Sequence, residues 1–292
     1  MKARAAAAVL AALALAGAAA GFALAPARGD GLEGRIARLR PHVDIQLPEG
    51  ADAPAASVLL FSGCGGVQQV QQDYADSAKA EGVAAVIVDS HAARGIGRLA
   101  ARLTVCTALQ LRGQERAGDV LAALEIVRAD ERLDPDRIAL AGWSHGGWTL
   151  LDAASYVATS TPPPGFEALP RDALSGVGAM LLIYPYCGAI IRADSHPLPG
   201  DIAIRAWLVE RDAVADPDDC KALFEAWNAG GARIRWTLYP GLTHAFDAPD
   251  QPWDPRMEYD PQAAQAAHDR FREWLALRLA PETGLAGGGT PQ

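Results

Sequence analysis

The chain has little lysine, little cysteine and no excess of positive charge. Its 292 residues include 26 Lys+Arg against 35 Asp+Glu, a formal net charge of -9, and 4 Cys. The acidic balance argues against a nucleic-acid partner, which would need a basic face to neutralise phosphates. Four cysteines without a CxxC pair are too few for a disulfide scaffold. Since no cluster of His, Asp and Glu has clear metal-ligand spacing, neither a metal nor another cofactor is predicted.

Half of the residues are hydrophobic, so the chain can build a core and is not disordered by composition. Its length fits one large α/β domain or two small ones. The sequence shows no internal repeat and no interdomain linker. We therefore expect one domain over residues 29–280, followed by a flexible, Gly-rich tail at 281–292.

The amino-terminal segment has the layout of a targeting sequence. Two basic residues precede an uncharged, Ala-rich run from Ala5 to Ala25. This pattern predicts a signal peptide over residues 1–28, with small residues ending at Ala20 or Ala25 as cleavage sites. An uncleaved anchor is the alternative, because the run is long enough to span a bilayer. We expect an exported protein, periplasmic or secreted, without stable membrane insertion once the signal is removed.

Apolar runs alternate with helix-like stretches along the rest of the chain. The predicted strands are His42–Leu47, Ser57–Phe61, Ala84–Val88, Arg137–Ala141, Ala179–Tyr184, Ala203–Glu210 and Arg233–Tyr239. The predicted helices are Gln68–Glu81, Arg116–Ala129, His145–Val157, Pro217–Ala229 and Asp260–Leu279. Strands that are apolar throughout and alternate with helices predict an α/β fold, with a mostly parallel sheet covered on both faces.

The strongest motif is Gly142-Trp143-Ser144-His145-Gly146-Gly147, between a predicted strand and a predicted helix. This is the context of a nucleophile elbow, in which the sharp turn needs small residues two before and two after the serine. The helix dipole also favours developing negative charge there. Ser144 is therefore the predicted nucleophile. The alternative is a Gly-rich helix start that only packs closely.

A serine nucleophile needs a base that is oriented by an acid, and both follow the serine in a chain with this elbow. His244 lies on the turn after the last predicted strand and is the predicted base, with a solvated loop histidine as the alternative. Asp212 follows the carboxyl end of the preceding strand and is the predicted acid. Neighbouring acidic residues remain alternatives: Glu210, Asp216, Asp218 and Asp219.

Two backbone N–H groups are needed to stabilise the oxyanion of an acyl-transfer reaction. The elbow supplies one from His145. We predict the other from Cys64, in the Gly-rich turn Ser62–Gly66, for which an ordinary structural turn is the alternative. Several aromatic residues either line a substrate pocket or pack in the core: Trp143, Trp148, Tyr184, Tyr186 and Trp253.

The stretch from Val58 to Trp274 resembles the dienelactone hydrolase family of the α/β-hydrolases. The resemblance rests on the segments LLFSGCGG, VIVDSHAARG, GWSHGG, VERDAVADP and YPGLTHAF. It implies an α/β-hydrolase fold with a twisted sheet of about eight strands and a triad of Ser144, Asp212 and His244. The enzymes that name the family have a cysteine nucleophile, whereas exported relatives with a serine look like general esterases. Lactone specificity therefore does not carry over.

The resemblance also bears on Arg94 and on the four cysteines. Arg94 matches an arginine that helps to bind the substrate carboxylate in the dienelactone enzymes, although it stands here in a longer loop. Placed on the family's frame, Cys187 pairs with Cys220 and Cys64 with Cys106. The sequence alone leaves open three disulfide connectivities for the four cysteines, and also the possibility that all four are free thiols. Export would favour disulfide formation, because disulfides form in oxidising compartments.

The leading hypothesis is an exported serine hydrolase that cleaves a small-molecule carboxylic ester or lactone through an acyl-enzyme. A serine peptidase or amidase on the same fold is one alternative. A binding protein that keeps the fold without its chemistry is the other. No oligomeric state is predicted.

Overall fold

The computed structural model describes residues 30–50, 54–195, 202–250 and 254–279. The predicted signal peptide, the predicted tail and Trp253 lie outside these ranges. The strands are β1 (Val43–Gln46), β2 (Ala55–Phe61), β3 (Ala84–Val88), β4 (Leu133–Trp143), β5 (Val177–Ile183), β6 (Ala203–Val209) and β7 (Ile234–Tyr239). The main helices are α1 (Gly31–Leu39), α2 (Gln69–Ala80), α3 (Gly113–Arg128), α4 (His145–Ala158), α5 (Pro217–Ala229) and α6 (Pro261–Leu279).

The strands form one sheet in the order β1-β3-β2-β4-β5-β6-β7. β1 is antiparallel to β3, and every other neighbouring pair is parallel. At the centre, Phe61 of β2 is paired with Gly142 of β4. The turns that follow these two strands therefore emerge side by side at the carboxyl edge, which is where open α/β sheets place their ligands.

The central strands are buried on both faces because side chains alternate between them. In β2, Leu59 and Phe61 pack into a core with α3, α4 and α5, whereas Val58 and Leu60 pack on the opposite face with α2 and α6. This two-sided burial explains why the strands are continuous apolar runs rather than alternating ones. The prediction of a mostly parallel, doubly covered sheet is confirmed.

The structure differs from the sequence-based expectations in three places. The described residues form seven strands, as the apolar runs indicate, and not the eight that the family resemblance implies. β4 begins at Leu133, four residues before the predicted strand Arg137–Ala141, because Leu133 pairs with Ala55. Helix α1 was not predicted; its Arg35 donates a 2.8 Å hydrogen bond to the buried Asp119 of α3, a tertiary contact with no local signal.

A long segment, residues 89–112, connects β3 to α3. It contains the short helical turns Ala92–Arg94, Arg98–Ala100 and Ala101–Val105, and a disulfide joins its Cys106 to Cys64. The disulfide holds this segment, which we call the roof segment (residues 89–112), beside the turn that follows β2 at the carboxyl edge of the sheet. None of the helices within the described residues is long and apolar enough to cross a membrane.

Candidate active site

The strand β4 ends at Trp143 and the helix α4 begins at His145, so the whole change of direction falls on Ser144. Its backbone has φ 50° and ψ -112°, a strained conformation for a residue with a side chain. A Cβ at Gly142 would lie 2.6 Å from the carbonyl carbon of Gly146, and one at Gly146 would lie 2.0 Å from the carbonyl oxygen of Phe61. Both glycines are therefore required by the close approach of strand and helix.

Three predicted side chains meet in a single hydrogen-bonded chain. The Nδ1 atom of His244 lies 2.7 Å from Oδ2 of Asp212, and its Nε2 atom lies 2.9 Å from Oγ of Ser144. With Nδ1–H donating to the carboxylate, Nε2 is the acceptor for the serine hydroxyl. These side chains are separated by 32 and 100 residues in sequence, and only the sheet edge brings them together.

The side chain of Asp212 is fixed by backbone N–H groups of its own turn as well as by the imidazole of His244. Its Oδ1 atom accepts hydrogen bonds from the backbone N–H groups of Val214 (2.9 Å) and Ala215 (2.8 Å), which leaves Oδ2 for His244. The carboxylate is almost fully buried. The neighbouring Asp216 has a different role, because it caps α5 by accepting from the N–H of Asp218 at 2.9 Å. The structure thus favours Asp212 over that alternative.

The two predicted oxyanion donors, His145 and Cys64, lie in segments that come close to Ser144. His145 is the first residue of α4, where a backbone N–H has no partner within the helix. Cys64 belongs to the turn after β2, and that turn approaches the elbow closely: a Cβ at Gly63 would lie 3.7 Å from Cβ of Ser144. Both backbones therefore border the nucleophile.

A cleft of about 430 Å³ opens in front of Ser144 and His244. Its volume is that of a small-molecule site. Apart from the glycine turn, its lining combines apolar, cationic and other polar side chains, among them Val70, Trp143, Val214, Met257, Arg102, Arg256, Gln68, Gln71 and Asp254. Arg256 already donates two hydrogen bonds, at 3.0 and 2.7 Å, to Asp254.

Both disulfides implied by the family resemblance are present. Cys64 is linked to Cys106, which fastens the glycine turn to the roof segment. Cys187, shortly after β5, is linked to Cys220 in the first half of α5. Among the described residues no cysteine is left free.

Comparison with known proteins bears on the fold and the family. The model of the dienelactone hydrolase family matches residues 173–279, which contain β5, β6 and β7 with Asp212 and His244. The predicted resemblance to the dienelactone hydrolase family is confirmed over this part of the chain. The match indicates a carboxylic ester hydrolase. No curated protein sequence matches it.

Solved structures show the same architecture at low sequence identity. A dienelactone hydrolase-like promiscuous phosphotriesterase from metagenomic libraries is 16% identical, with a TM-score of 0.61 over 81% of this chain and 92% of its own. A propionate-bound thermophilic esterase from Thermogutta terrifontis is 18% identical, with a TM-score of 0.59 over 82% and 91%. Esterase 2 of the same organism, phosphorylated by paraoxon, is 19% identical, with a TM-score of 0.60 over 82% and 90%. These similarities establish the fold.

The structure does not bring Arg94 to the cleft, contrary to the role that the resemblance implies for it. Its guanidinium group donates two hydrogen bonds of 2.8 Å to the fully buried Asp119, and a third to the carbonyl of Ser90. Arg35 binds the same carboxylate from α1. Two cations hold the pKa of Asp119 below its ordinary value, against the effect of its burial. In this chain Arg94 is part of a structural ion-pair network.

The predicted aromatic residues divide between cleft and core. Trp143 and Tyr184 line the cleft. Tyr186 instead lies against Trp148, with ring centroids 5.2 Å apart, and is not among the residues that line the cleft. The indole of Trp148 donates a 2.6 Å hydrogen bond to the buried Asp152. Trp148 therefore packs in the core, which was the alternative to lining a substrate pocket.

A buried carboxylate behind the triad candidates was not predicted. Asp247 accepts hydrogen bonds from the hydroxyls of Tyr184 (2.6 Å) and Tyr74 (2.9 Å) and from the indole N–H of Trp143 (3.2 Å). The Tyr184 ring also contacts the His244 ring, at 4.7 Å between centroids. Burial raises the pKa of Asp247, although its three donors oppose this effect. Its only sequence signal is an acid three residues after the predicted base.

Proposed function

We propose that this chain is an exported serine hydrolase that cleaves a small carboxylic ester or lactone, with Ser144, His244 and Asp212 as its catalytic residues. The observation that carries the proposal is the continuous hydrogen-bonded chain from Asp212 through the imidazole to Ser144, with links of 2.7 and 2.9 Å. A serine hydroxyl is a weak nucleophile by itself, and this arrangement is the one that activates it.

The geometry supports a two-step reaction. Ser144 Oγ attacks the carbonyl carbon while His244 Nε2 takes its proton, and the resulting imidazolium then gives the proton to the departing alkoxide. An acyl-enzyme remains, and water hydrolyses it by the same proton transfers in reverse. Asp212 keeps the imidazole in the required tautomer and stabilises its positive charge, without taking the proton itself.

The negative charge of each tetrahedral intermediate needs donors that are already in place. In this proposal the backbone N–H groups of His145 and Cys64 are those donors. The first adds the positive end of the α4 dipole. The second comes from a turn that lies against Ser144 and is fastened by the Cys64–Cys106 disulfide.

Export is the second part of the proposal. It rests on the sequence pattern of residues 1–28 and on two disulfides that use all four cysteines. Disulfides form and persist in oxidising compartments. An export assay on the full chain, with a fusion reporter that is active only outside the cytoplasm, tests it; a reporter that stays inactive would contradict export.

Labelling with a fluorophosphonate probe tests the catalytic assignment. We expect wild type to label and to hydrolyse p-nitrophenyl acetate, and Ser144→Ala to lose both properties, because the probe bonds to the activated serine oxygen. Ser160→Ala is the matched control, since Ser160 is exposed just beyond the end of α4. Labelling of Ser144→Ala at the wild-type rate, or a wild type that does not label, would contradict the proposal.

A further inference from the structure

The turn that carries Cys64 is fixed at three successive carbonyl groups. The carbonyl of Ser62 accepts a 2.7 Å hydrogen bond from Arg116. The carbonyl of Gly63 accepts from the N–H of Gly66 at 3.2 Å. The carbonyl of Cys64 accepts from Nε2–H of His91 at 3.0 Å. Two of these three donors are side chains from distant parts of the chain.

The orientation of the Cys64 N–H follows from these bonds. The Gly63 carbonyl and the Cys64 N–H belong to the same planar, trans peptide unit, so they point in opposite directions. Because the carbonyl is directed at Gly66, the N–H is directed away from it. Rotation of this peptide unit would have to move the neighbouring units as well, and Arg116 and His91 hold those on either side.

Arg116 is fully buried and contacts residues in both segments beside Ser144: Ser62 in the glycine turn and His145 at the start of α4. Besides the Ser62 carbonyl, it donates to the Ser62 hydroxyl at 3.2 Å and lies 3.3 Å from Nδ1 of His145, the first residue of α4. Burial and the adjacent guanidinium lower the pKa of His145 well below its ordinary value, so its Nδ1 can accept from Arg116. Burial lowers the pKa of Arg116 to about 10, which leaves it charged at neutral pH.

His91 holds the other end of the turn as a neutral donor. Burial and the charge of Arg116 lower its pKa to about 4. Its ring packs against Gly66, where a Cβ would lie 3.5 Å from the ring and where φ is +85°. Its Nδ1 atom has no hydrogen-bond partner, which agrees with a proton on Nε2.

We propose that Arg116 and His91 are positioning residues that set the Cys64 N–H and the His145 N–H at the correct separation for the oxyanion. This inference rests on the proposed function. A buried cation is costly to keep, and here its hydrogen bonds go to the carbonyl and hydroxyl of Ser62, in the turn that carries Cys64, and to the imidazole of His145. The sequence carries one signal for Arg116: it continues the spacing of Val120, Leu124 and Val127 on the buried face of α3.

Kinetics of Arg116→Met and His91→Phe test the proposal. For Arg116→Met we expect kcat to fall about 10²-fold, which is the loss associated with removal of an oxyanion donor. For His91→Phe we expect a fall of about tenfold, because the turn is displaced less and a misplaced group still lowers the rate. KM is expected to stay near the wild-type value, because the interaction forms in the transition state. Arg116→Lys and His91→Gln each keep a donor and should recover part of kcat.

Two control variants separate positioning from general stability. Arg128→Met removes an arginine of the same helix that donates to the carbonyls of Ala173 and Ser175, away from the cleft. His42→Phe replaces a histidine before β1. Both are expected to keep wild-type kcat, while Arg128→Met lowers the melting temperature. Equal kcat losses in Arg116→Met and Arg128→Met would overturn the proposal.

Hydrogen–deuterium exchange of the peptide that covers residues 62–66 gives a readout independent of activity. We expect faster exchange of this segment in Arg116→Met and His91→Phe than in wild type, with the rest of the chain unchanged. Unchanged exchange together with unchanged kcat would overturn the positioning role. If wild type shows no Ser144-dependent labelling, the proposed function fails, and exchange alone then decides whether these residues hold the turn.

Discussion

Asp212 and Asp247 are both buried carboxylates close to His244, yet their surroundings differ. Asp212 accepts two backbone N–H groups from its own turn and gives its second oxygen to the imidazole. Asp247 accepts hydrogen bonds from two phenol hydroxyls and one indole N–H, and two of these partners, Tyr184 and Trp143, line the cleft. The first carboxylate can stabilise a charge that appears on the ring. The second can only fix the side chains around it.

The difference shows that proximity to a reactive group does not define a role. Tyr184 contacts the His244 ring and is anchored by Asp247, so Asp247 acts on the imidazole through a neutral side chain. Asp212 acts on it directly. We therefore expect loss of Asp212 to reduce the reaction rate and loss of Asp247 to reduce mainly the free energy of unfolding.

The largest effect is expected from Asp212→Asn. An amide cannot hold the imidazole in the productive tautomer or stabilise its positive charge, so kcat should fall by about 10⁴-fold. The melting temperature should change little, because the amide oxygen can still accept from Val214 and Ala215. Steady-state kinetics and thermal unfolding measure the two quantities. A loss of kcat no larger than that of Asp247→Asn would break the distinction.

The two disulfides sharpen the same distinction. They close segments of similar length, with sequence separations of 42 and 33 residues, so removal of either should lower the free energy of unfolding by about 4 kcal/mol. Only the pair Cys64→Ala/Cys106→Ala releases the turn beside Ser144 and should also lower kcat.

Denaturant unfolding and kinetics on both double variants check this prediction. Cys187→Ala/Cys220→Ala serves as the matched control and should keep kcat close to wild type at a temperature where it is folded. Equal kcat in the two double variants would show that the first disulfide stabilises the protein without any effect on the turn.

Asp247→Asn should cost about 1–3 kcal/mol of the free energy of unfolding, since one acceptor oxygen becomes an N–H group that faces hydroxyl and indole donors. kcat should fall far less than in Asp212→Asn, because the imidazole keeps its acid. Urea unfolding beside kinetics of the two Asn variants makes the comparison. A stability equal to that of wild type would show that the three hydrogen bonds contribute little.

The last prediction concerns another buried carboxylate, Asp152. Burial raises the pKa of Asp152 from 3.8 to about 7, although Trp148 and the N–H of Ala193 donate to it. Since the folded-state pKa is the higher one, its stabilising contribution is complete below about pH 4 and is lost as the pH rises towards 7. The slope of its contribution is at most about 1.4 kcal/mol per pH unit.

Urea unfolding at several pH values between 4 and 8 measures this slope in wild type and in Asp152→Asn. In Asp152→Asn the free energy of unfolding should depend less on pH than in wild type, because the contribution of Asp152 is gone and only those of the other titrating groups remain. An identical pH dependence in both proteins would show that Asp152 does not titrate in this range.

The residues whose place in the fold the sequence predicted are those whose position follows from local pattern and chain order. Ser144 lies between an apolar strand and a helix, and Asp212 and His244 lie three and five residues after the ends of β6 and β7. Parallel strands carry such residues to one edge whatever the details of packing. The two disulfides could be paired only on the frame of a known family.

The residues that were missed or misassigned depend on distant partners. The resemblance implied a substrate-binding role for Arg94, but the tertiary structure pairs it with Asp119, 25 residues further along. Arg116 reaches Ser62 across 54 residues and Tyr74 reaches Asp247 across 173. No periodicity encodes a bond between two such side chains, so these contacts could not be predicted.

The sequence by itself determined the α/β architecture, the elbow and the chain order of the candidate nucleophile, acid and base. It did so because the period of apolar residues and the glycines of the turn are local requirements of the backbone. Only the tertiary structure decided which polar groups are buried together and which backbone groups they hold. Burial makes each such group dependent on a partner, and the fold alone selects that partner.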